Sequence, residues 1–534
     1  MAQKFKLLND KFLILLIFFV SLSINQYFGN KGVYPTDSFA FFDTGFRVLN
    51  KEFPFKDYWV VSGPLIDYFQ AFLFFIFGVN WQAYILQASI VNGLLSIFTF
   101  IFLRKLNLDC KSSFFYSLCL AILAYPVSGT PFVEQHSIFL SFIAIYSFIL
   151  GIKTQKNYFY LMCPFFFGLA FISKQVPAAY LFLSLLPILV YEIFLNDRKK
   201  NFKIIFLLFI SSLIFLCTLM LLFWITETKV ESFVNQYLLY PLTIGEDRIA
   251  NTHLTFSNVF IKYKLVYLSI LPFAAITLKN ILKNKKYLKT INFKTFLLLI
   301  FVTISMTIHQ ALTKNQAFVF FMIPLFIALG HLEISSYNLK GKKIFLSFLI
   351  VACIYLTFKY HTQINTVRKF HDFKPTTNFN NSIDGERINR IFSGLNWISP
   401  DYSSPELIIK EMDIIKNIII DLKKDKRKKM LITQYAFFSI ILNENLHAPS
   451  RWHVLDGSAY PVAGSEFYDY YKKYFLNILK NNNIEVIYIT KNVGKKEKPL
   501  FGYLDRKCVK ERKKTDHITS YTLDKNCEEF NRIF

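Results

Sequence analysis

Acidic residues are scarce in this chain. Its 534 residues hold 36 Asp and Glu against 61 Lys and Arg, a formal net charge of +25. A surplus of that sign could suggest nucleic acid. The bases, however, punctuate apolar stretches, which is the pattern of cytoplasmic anchoring against anionic lipid. Nucleic acid is therefore not expected as a partner. Paired cysteines are lacking too. The seven Cys stand at 110, 119, 163, 217, 353, 508 and 527, and none forms a CxxC pair. A zinc or redox motif is not expected, and the five Cys in or beside apolar runs read as small core residues. No internal repeat with a period of about 20–50 residues is visible, and no low-complexity segment stands out.

Apolar sequence is what the chain has in quantity: 53% of residues are hydrophobic and the mean hydropathy is +0.35. Runs of membrane-spanning length recur at 12–28, 82–103, 113–127, 136–152, 158–172, 177–195, 203–225, 258–278, 293–310, 317–333 and 343–359. That makes about eleven transmembrane helices in a mainly α, multi-pass membrane protein. Residues 12–28 read as a retained first helix, because no small-residue cleavage site follows them. Residues 65–78 are apolar but short and contain Asp67, which suits an interfacial or re-entrant segment.

Charge decides the topology. With the N-terminus inside and every span crossing, the inner segments carry about 21 basic residues against about 8 in the outer loops. A full crossing by 65–78 would invert every later loop and break the rule. The count therefore places the loop after the first span outside, and the C-terminal region outside as well.

Beyond residue 360 the long apolar runs stop. Pro405–Lys424 carries Ile408, Met412, Ile415, Ile419 and Leu422 at helical spacing. The basic run Lys423–Lys429 follows and reads as a solvated loop, with a lipid-phosphate contact as the alternative. Met430–Gln434 and Ile484–Thr490 read as strands, with a helix at Glu466–Leu479 between them. The chain thus divides into a membrane-embedded part, 1–360, with its first outer loop at 29–64, and an extracytoplasmic α/β domain, 361–534. Cys508 and Cys527 are the only two cysteines of that outer domain, and an oxidising compartment lets them pair.

The chemistry-bearing residues gather at predicted outer ends of spans. The first loop, Tyr34–Leu65, holds Asp37, Asp43, Glu52 and Asp57 together with Arg47, Pro54 and Gly63-Pro64. Acids at a bilayer surface are costly and call for a role. A second group is Pro131-Phe-Val-Glu134-Gln-His136. A third is Gly168-Leu-Ala-Phe-Ile-Ser-Lys174, and a fourth is His309-Gln-Ala-Leu-Thr-Lys314. Each also has a plain structural reading: a helix cap or solvated acid for the carboxylates, and snorkelling or capping for Lys174, Lys314 and His309.

An acid soon after helix one, the juxtamembrane stretch FAFFDTGFRVL and the Pro-containing return PFKDYWVVSGPL resemble the first extracytoplasmic loop of the GT-C superfamily. These are membrane glycosyltransferases that use polyprenyl-phosphate sugars, such as the protein mannosyltransferases and aminoarabinose transferases. The resemblance implies an enzyme of a plasma or bacterial inner membrane that moves a hexose or pentose, with inversion, from a polyprenyl-phosphate donor. Its acceptor would be an extracytoplasmic lipopolysaccharide, glycan or protein. It implies Asp37 as base or acceptor-orienting acid, helped by Glu134, with Asp57 at a recurring acidic position. Lys174, Lys314 and Arg47 would hold the phosphate, with His136 and His309 beside the substrate. Many members carry Asp-Glu at the start of the loop. Here the pair is Asp37-Ser38, which weakens the case for a divalent cation, and no metal ligands are assigned. A lipid-linked glycan flippase or transporter, and an outer-leaflet glycan polymerase or ligase, are the rival functions. A transporter should show internal repeats or midplane charges, and a polymerase or ligase usually has one large central outer loop.

The charge count makes a testable statement. A reporter that works only outside the cytoplasm, fused after Phe534, is expected to be active. Activity of a cytoplasm-only reporter at that position would overturn the topology.

Overall fold

A computed structural model of the chain describes residues 2–124, 129–195, 198–250, 255–313, 319–337, 340–366, 373–374, 376–454, 456–491 and 500–527. The chain divides into two compact units. One comprises 1–28, 85–220 and 248–370; the other comprises 29–84, 221–247 and 371–534.

The first unit is helical. Among the described residues, eight helices of the chain are long and apolar enough to cross a membrane: 10–29, 81–105, 133–154, 175–192, 202–225, 264–283, 291–312 and 342–364. The protein is a multi-pass membrane protein. The other three expected spans appear as shorter apolar helices, Cys110–Ala124, Asn157–Ser173 and Met322–Ser335. At 1.5 Å per residue these rise only about 21–26 Å, less than a hydrocarbon core of about 30 Å.

Burial separates core helices from lipid-facing ones. Val133–Thr154 is buried continuously from Val133 to Gly151, as a helix apolar on all sides must be. The most apolar window of 202–225 is only 11% buried, and Phe206, Phe209 and Leu213 face outward. Helix Val133–Thr154 turns back on Asn157–Ser173 through Gln155, which takes a left-handed φ of 57°. The return is close: a Cβ at Gly151 would lie 2.8 Å from the Tyr160 ring, so only glycine fits there.

The second unit joins the first loop to the C-terminal residues. The sequence reading counted that loop, 29–64, with the membrane-embedded part. The grouping follows from what the loop buries. Phe39 stacks on Trp397 at 5.5 Å and meets Phe437 edge-on at 4.7 Å. Backbone bonds add to this: Val33 N donates to the Ile398 carbonyl (2.9 Å) and Trp59 N to the Pro449 carbonyl (2.9 Å). Gln236 clamps the loop from 221–247, accepting from Val60 N (3.1 Å) and donating to the Phe55 carbonyl (2.9 Å). Helix Pro64–Phe77 has 14 residues, too few for a crossing.

The C-terminal part is α/β. Besides a short antiparallel pair, Ile383–Asp384 with Asn396–Trp397, it holds a four-stranded sheet of β1 (Lys429–Ile432), β2 (Val486–Thr490), β3 (Val509–Lys514) and β4 (Ile518–Leu523), in the order β1-β2-β4-β3. β1 and β2 run parallel, so a crossover must join them, and helix Tyr468–Asn481 lies in it. The β3–β4 hairpin was not expected from sequence. β3 reads VKERKK and is exposed almost throughout, which suits a charged edge strand that resists pairing with other chains. Helix Pro405–Lys424 forms as expected, capped by Ser404. Its buried stripe passes through Ile418 and leaves Ile419 half-exposed, because 3.6-residue periodicity aligns 418 with 411, 415 and 422. Cys508 and Cys527 are joined in a disulfide, with Cα atoms 5.2 Å apart, closing a loop around the hairpin.

Closing a loop of that size stabilises by about 3 kcal/mol through restriction of the unfolded chain. Peptide mapping under non-reducing conditions is expected to recover the 508–527 pair. Recovery of two free thiols would overturn it.

Candidate functional site

In the second unit the acids of the first loop occupy two kinds of place. Asp37 sits in the half-exposed first turn of helix Pro35–Ser38, its N–H bonded to the Tyr34 carbonyl (3.0 Å). Proline at the helix start and the Ser38 hydroxyl, which accepts from Tyr34 N (2.9 Å), fix that turn. The remaining acids turn inward.

Arg47 is only 2% exposed. Its Nε donates to Glu52 Oε2 (2.6 Å), Nη1 to the Ala448 carbonyl (2.9 Å) and Nη2 to the Asp57 carbonyl (3.3 Å). Its guanidinium also lies 4.3 Å from the Tyr58 ring centre. The sequence reading expected this arginine to face a phosphate; in the structure its donors are taken up inside the unit. Asp57 Oδ2 accepts from Phe53 N (2.7 Å), so its side chain closes a turn. Burial raises the Asp57 pKa, and the Phe53 N–H works against that.

Two acids that the sequence reading did not single out complete the network. Glu52 pairs with Arg47 and, through Oε1, with His447 Nδ1 (2.6 Å). Burial alone would raise its pKa, but Arg47 and His447 hold it down at about 2. Asp67 accepts from Thr44 (2.6 Å), Tyr58 (3.0 Å) and the Arg451 guanidinium, which also donates to the Ser62 carbonyl. Asp43, bonded to Ser439, is pushed up to about 7 by burial against the pull of Arg47. Burial and the Arg47 charge push His453 down to about 3.

The first unit holds a different cluster, at one end of its helices. Glu134 lies in the first turn of Val133–Thr154, and Lys174 is the one-residue break between Asn157–Ser173 and Gln175–Leu195. That break gives Lys174 extended φ and ψ of −160° and 133°, and its carbonyl accepts from Ser137 Oγ (2.8 Å). Its ammonium forms an ion pair with Glu134, which is 3% exposed. His136 bonds the Phe132 carbonyl through Nδ1 (3.0 Å). His309, fully buried near the end of Ile291–Leu312, faces the Tyr180 ring with centres 6.2 Å apart. Glu134 Oε2, His136 Nε2 and both nitrogens of His309 are buried and have no hydrogen-bond partner among the described residues. Buried polar atoms are normally paired, and orphans gathered at one place need explaining. Lys314 and residues 251–254 of the 226–257 loop lie outside the described residues.

Among the described residues no three His, Cys, Asp or Glu side chains come together as metal ligands. With Ser38 in place of a second acid beside Asp37, the first loop lacks the paired carboxylates that would hold a divalent cation there.

Residues 61–224 match the model of the dolichyl-phosphate-mannose-protein mannosyltransferase family. Among curated proteins none matches the chain significantly. The matched stretch contains Glu134, His136 and Lys174, and the match supports a membrane glycosyltransferase of the GT-C type.

Asp43 offers a direct check on the buried network. Its folded pKa of about 7 lies above the ordinary 3.8, so the folded state keeps a proton that the unfolded state loses. The stability that Asp43 contributes must fall as pH rises through that window. His453, held neutral by burial, acts in the opposite sense over part of it, and Glu52 acts only below its ordinary 4.5. The difference between Asp43→Asn and the parent isolates the Asp43 effect. The variant should gain on the parent in melting temperature as pH rises from about 4 to 7. A difference flat across that window would show that the carboxyl is not held protonated.

Proposed function

We propose that the protein transfers a sugar from a polyprenyl-phosphate donor to a hydroxyl of an extracytoplasmic glycan, lipopolysaccharide or protein. The observation that carries this reading is a set of buried polar atoms near Lys174 with no partner among the described residues: Glu134 Oε2 and His136 Nε2 on the stretch that matches the mannosyltransferase family, and both ring nitrogens of His309 beyond it. A donor carrying hydroxyls and a phosphate supplies the partners those atoms lack.

The chemistry is one displacement. Asp37 takes the proton of the acceptor hydroxyl as that oxygen attacks the anomeric carbon. The bond from that carbon to the phosphate oxygen breaks, and the lipid phosphate leaves with the electron pair. Attack opposite the leaving group inverts the anomeric centre. Lys174 releases Glu134 and turns its ammonium to the departing phosphate, where added negative charge most needs a cation. Lys314 gives a second cation. Glu134 then accepts from acceptor or sugar hydroxyls through its freed carboxylate, and His136 and His309 hold sugar hydroxyls. Arg47 and Asp57 act at one remove, through the shape of the loop that carries Asp37. Asp37 is half-exposed in the first turn of its helix, as an acid that meets an acceptor hydroxyl would be.

Transfer in membranes supplied with a polyprenyl-phosphate sugar pool tests this. Asp37→Asn should lose about 10²–10⁴-fold or more while leaving expression unchanged, since Asn keeps the shape but takes no proton. Glu134→Gln should lose less, and Lys174→Ala should weaken donor use more than acceptor use. Near-normal transfer by Asp37→Asn would remove that residue from the mechanism.

A further inference from the structure

The C-terminal part carries a groove that the transfer chemistry does not use. Its volume is about 680 Å³, and it lies between the second half of helix Pro405–Lys424, the turn at Ile388–Asn389 and helix Phe438–Leu442. Volumes of about 300–1,000 Å³ are those of small-molecule sites. Its lining has two characters. Ile388, Ile419, Ile420, Ile441 and Leu442 supply apolar surface, and Ile420 is 48% exposed. Lys416, Lys423 and Lys426 supply charge.

That charge is not balanced locally. The groove holds two acids, and each is already engaged. Glu444 accepts from Lys429 through both oxygens (2.7 and 2.8 Å). Asp425 is held by Arg427 through both oxygens and by Tyr488. Lys416, Lys423 and Lys426 have no ion pair among the described residues. Three cations beside four exposed or half-buried aliphatic side chains, Ile419, Ile420, Ile441 and Leu442, match a ligand that is anionic at one end and alkyl at the other. A solvated loop accounts for the lysines but not for isoleucines left open beside them.

We propose that this groove binds an anionic amphiphile, with a phosphate held by Lys416, Lys423 and Lys426 and an alkyl chain along Ile419, Ile420 and Ile441. It does not depend on the transfer reading, and its test does not use activity.

The experiment is lysine acetylation read by peptide mass mapping, on the full chain in phosphatidylcholine nanodiscs, with dodecyl phosphate as the probe. Dodecyl phosphate is expected to slow acetylation of Lys416, Lys423 and Lys426 while Lys410 and Lys424, on the same helix outside the groove lining, react as before. Lys423→Gln should raise the half-protection concentration about fivefold, the worth of one lysine near an anionic surface. Ile420→Ser should raise it too, while leaving any protection by glycerol phosphate unchanged. Equal protection of Lys410 and Lys424 would show mere adsorption, and no protection would show no site; either overturns the proposal. Equal protection by glycerol phosphate at the same concentration would show a free-phosphate site and overturn the amphiphile.

Discussion

The second unit depends on two buried arginines. Arg47 and Arg451 each hold a buried acid, Glu52 of the first loop and Asp67 of helix Pro64–Phe77. Removing one member of such a pair strands the other as an uncompensated buried charge, at a cost of about 3–5 kcal/mol. The aromatic contacts of Phe39 and the backbone bonds at Val33 and Trp59 follow the same seam. They would hold an apolar loop of any register, whereas the ion pairs hold only this one.

The two polar clusters differ in a way that bears on chemistry. In the second unit the side chains of Arg47, Glu52, Asp67 and Arg451 are tied to one another and to the backbone, although Arg451 Nε has no partner among the described residues. In the first unit the group around Lys174 is incomplete: Glu134 Oε2, His136 Nε2 and both His309 nitrogens have no partner among the described residues. Lys174 holds its position because two helices meet there with one extended residue between them, so the cation sits on rigid elements on both sides.

Much of the fold was legible in the sequence because apolar length and charge placement are strong, local signals. The spans, the helix Pro405–Lys424, the β1 and β2 strands and the short helix at Asp67 all follow from them. The β3–β4 hairpin was not legible, since VKERKK has no alternation to read. At the candidate site, Glu134, His136 and Lys174 are singled out by their place at predicted span ends, and the fold brings Glu134 and Lys174 into one ion pair. Glu52 and Asp67 are visible in the sequence as acids, but their pairing with His447 and Arg451 is not, and Glu411 gives no sign of its burial. Glu411 accepts from Trp397, Ser399 and Tyr435, none of which its own helix announces. The one usable signal was an acid recurring within an aromatic run. The same limit explains Arg47: sequence alone showed a cation near a membrane surface, and only the fold shows what it holds.

The pairing of Asp67 with Arg451 spans 384 residues of chain. At a synthesis rate of about 5–20 residues per second, roughly 20–80 s pass between the appearance of the acid and that of its arginine. For all that time the helices of the first unit are being made while the first loop has no place to bury its charges. Thr44 and Tyr58, both local, are the partners from the second unit that Asp67 can find in the interval. The loop that carries Asp37 therefore takes its final shape last, after nearly every other part of the protein has been synthesised. A chain cut short before Arg451 would hold the membrane helices but not a settled first loop.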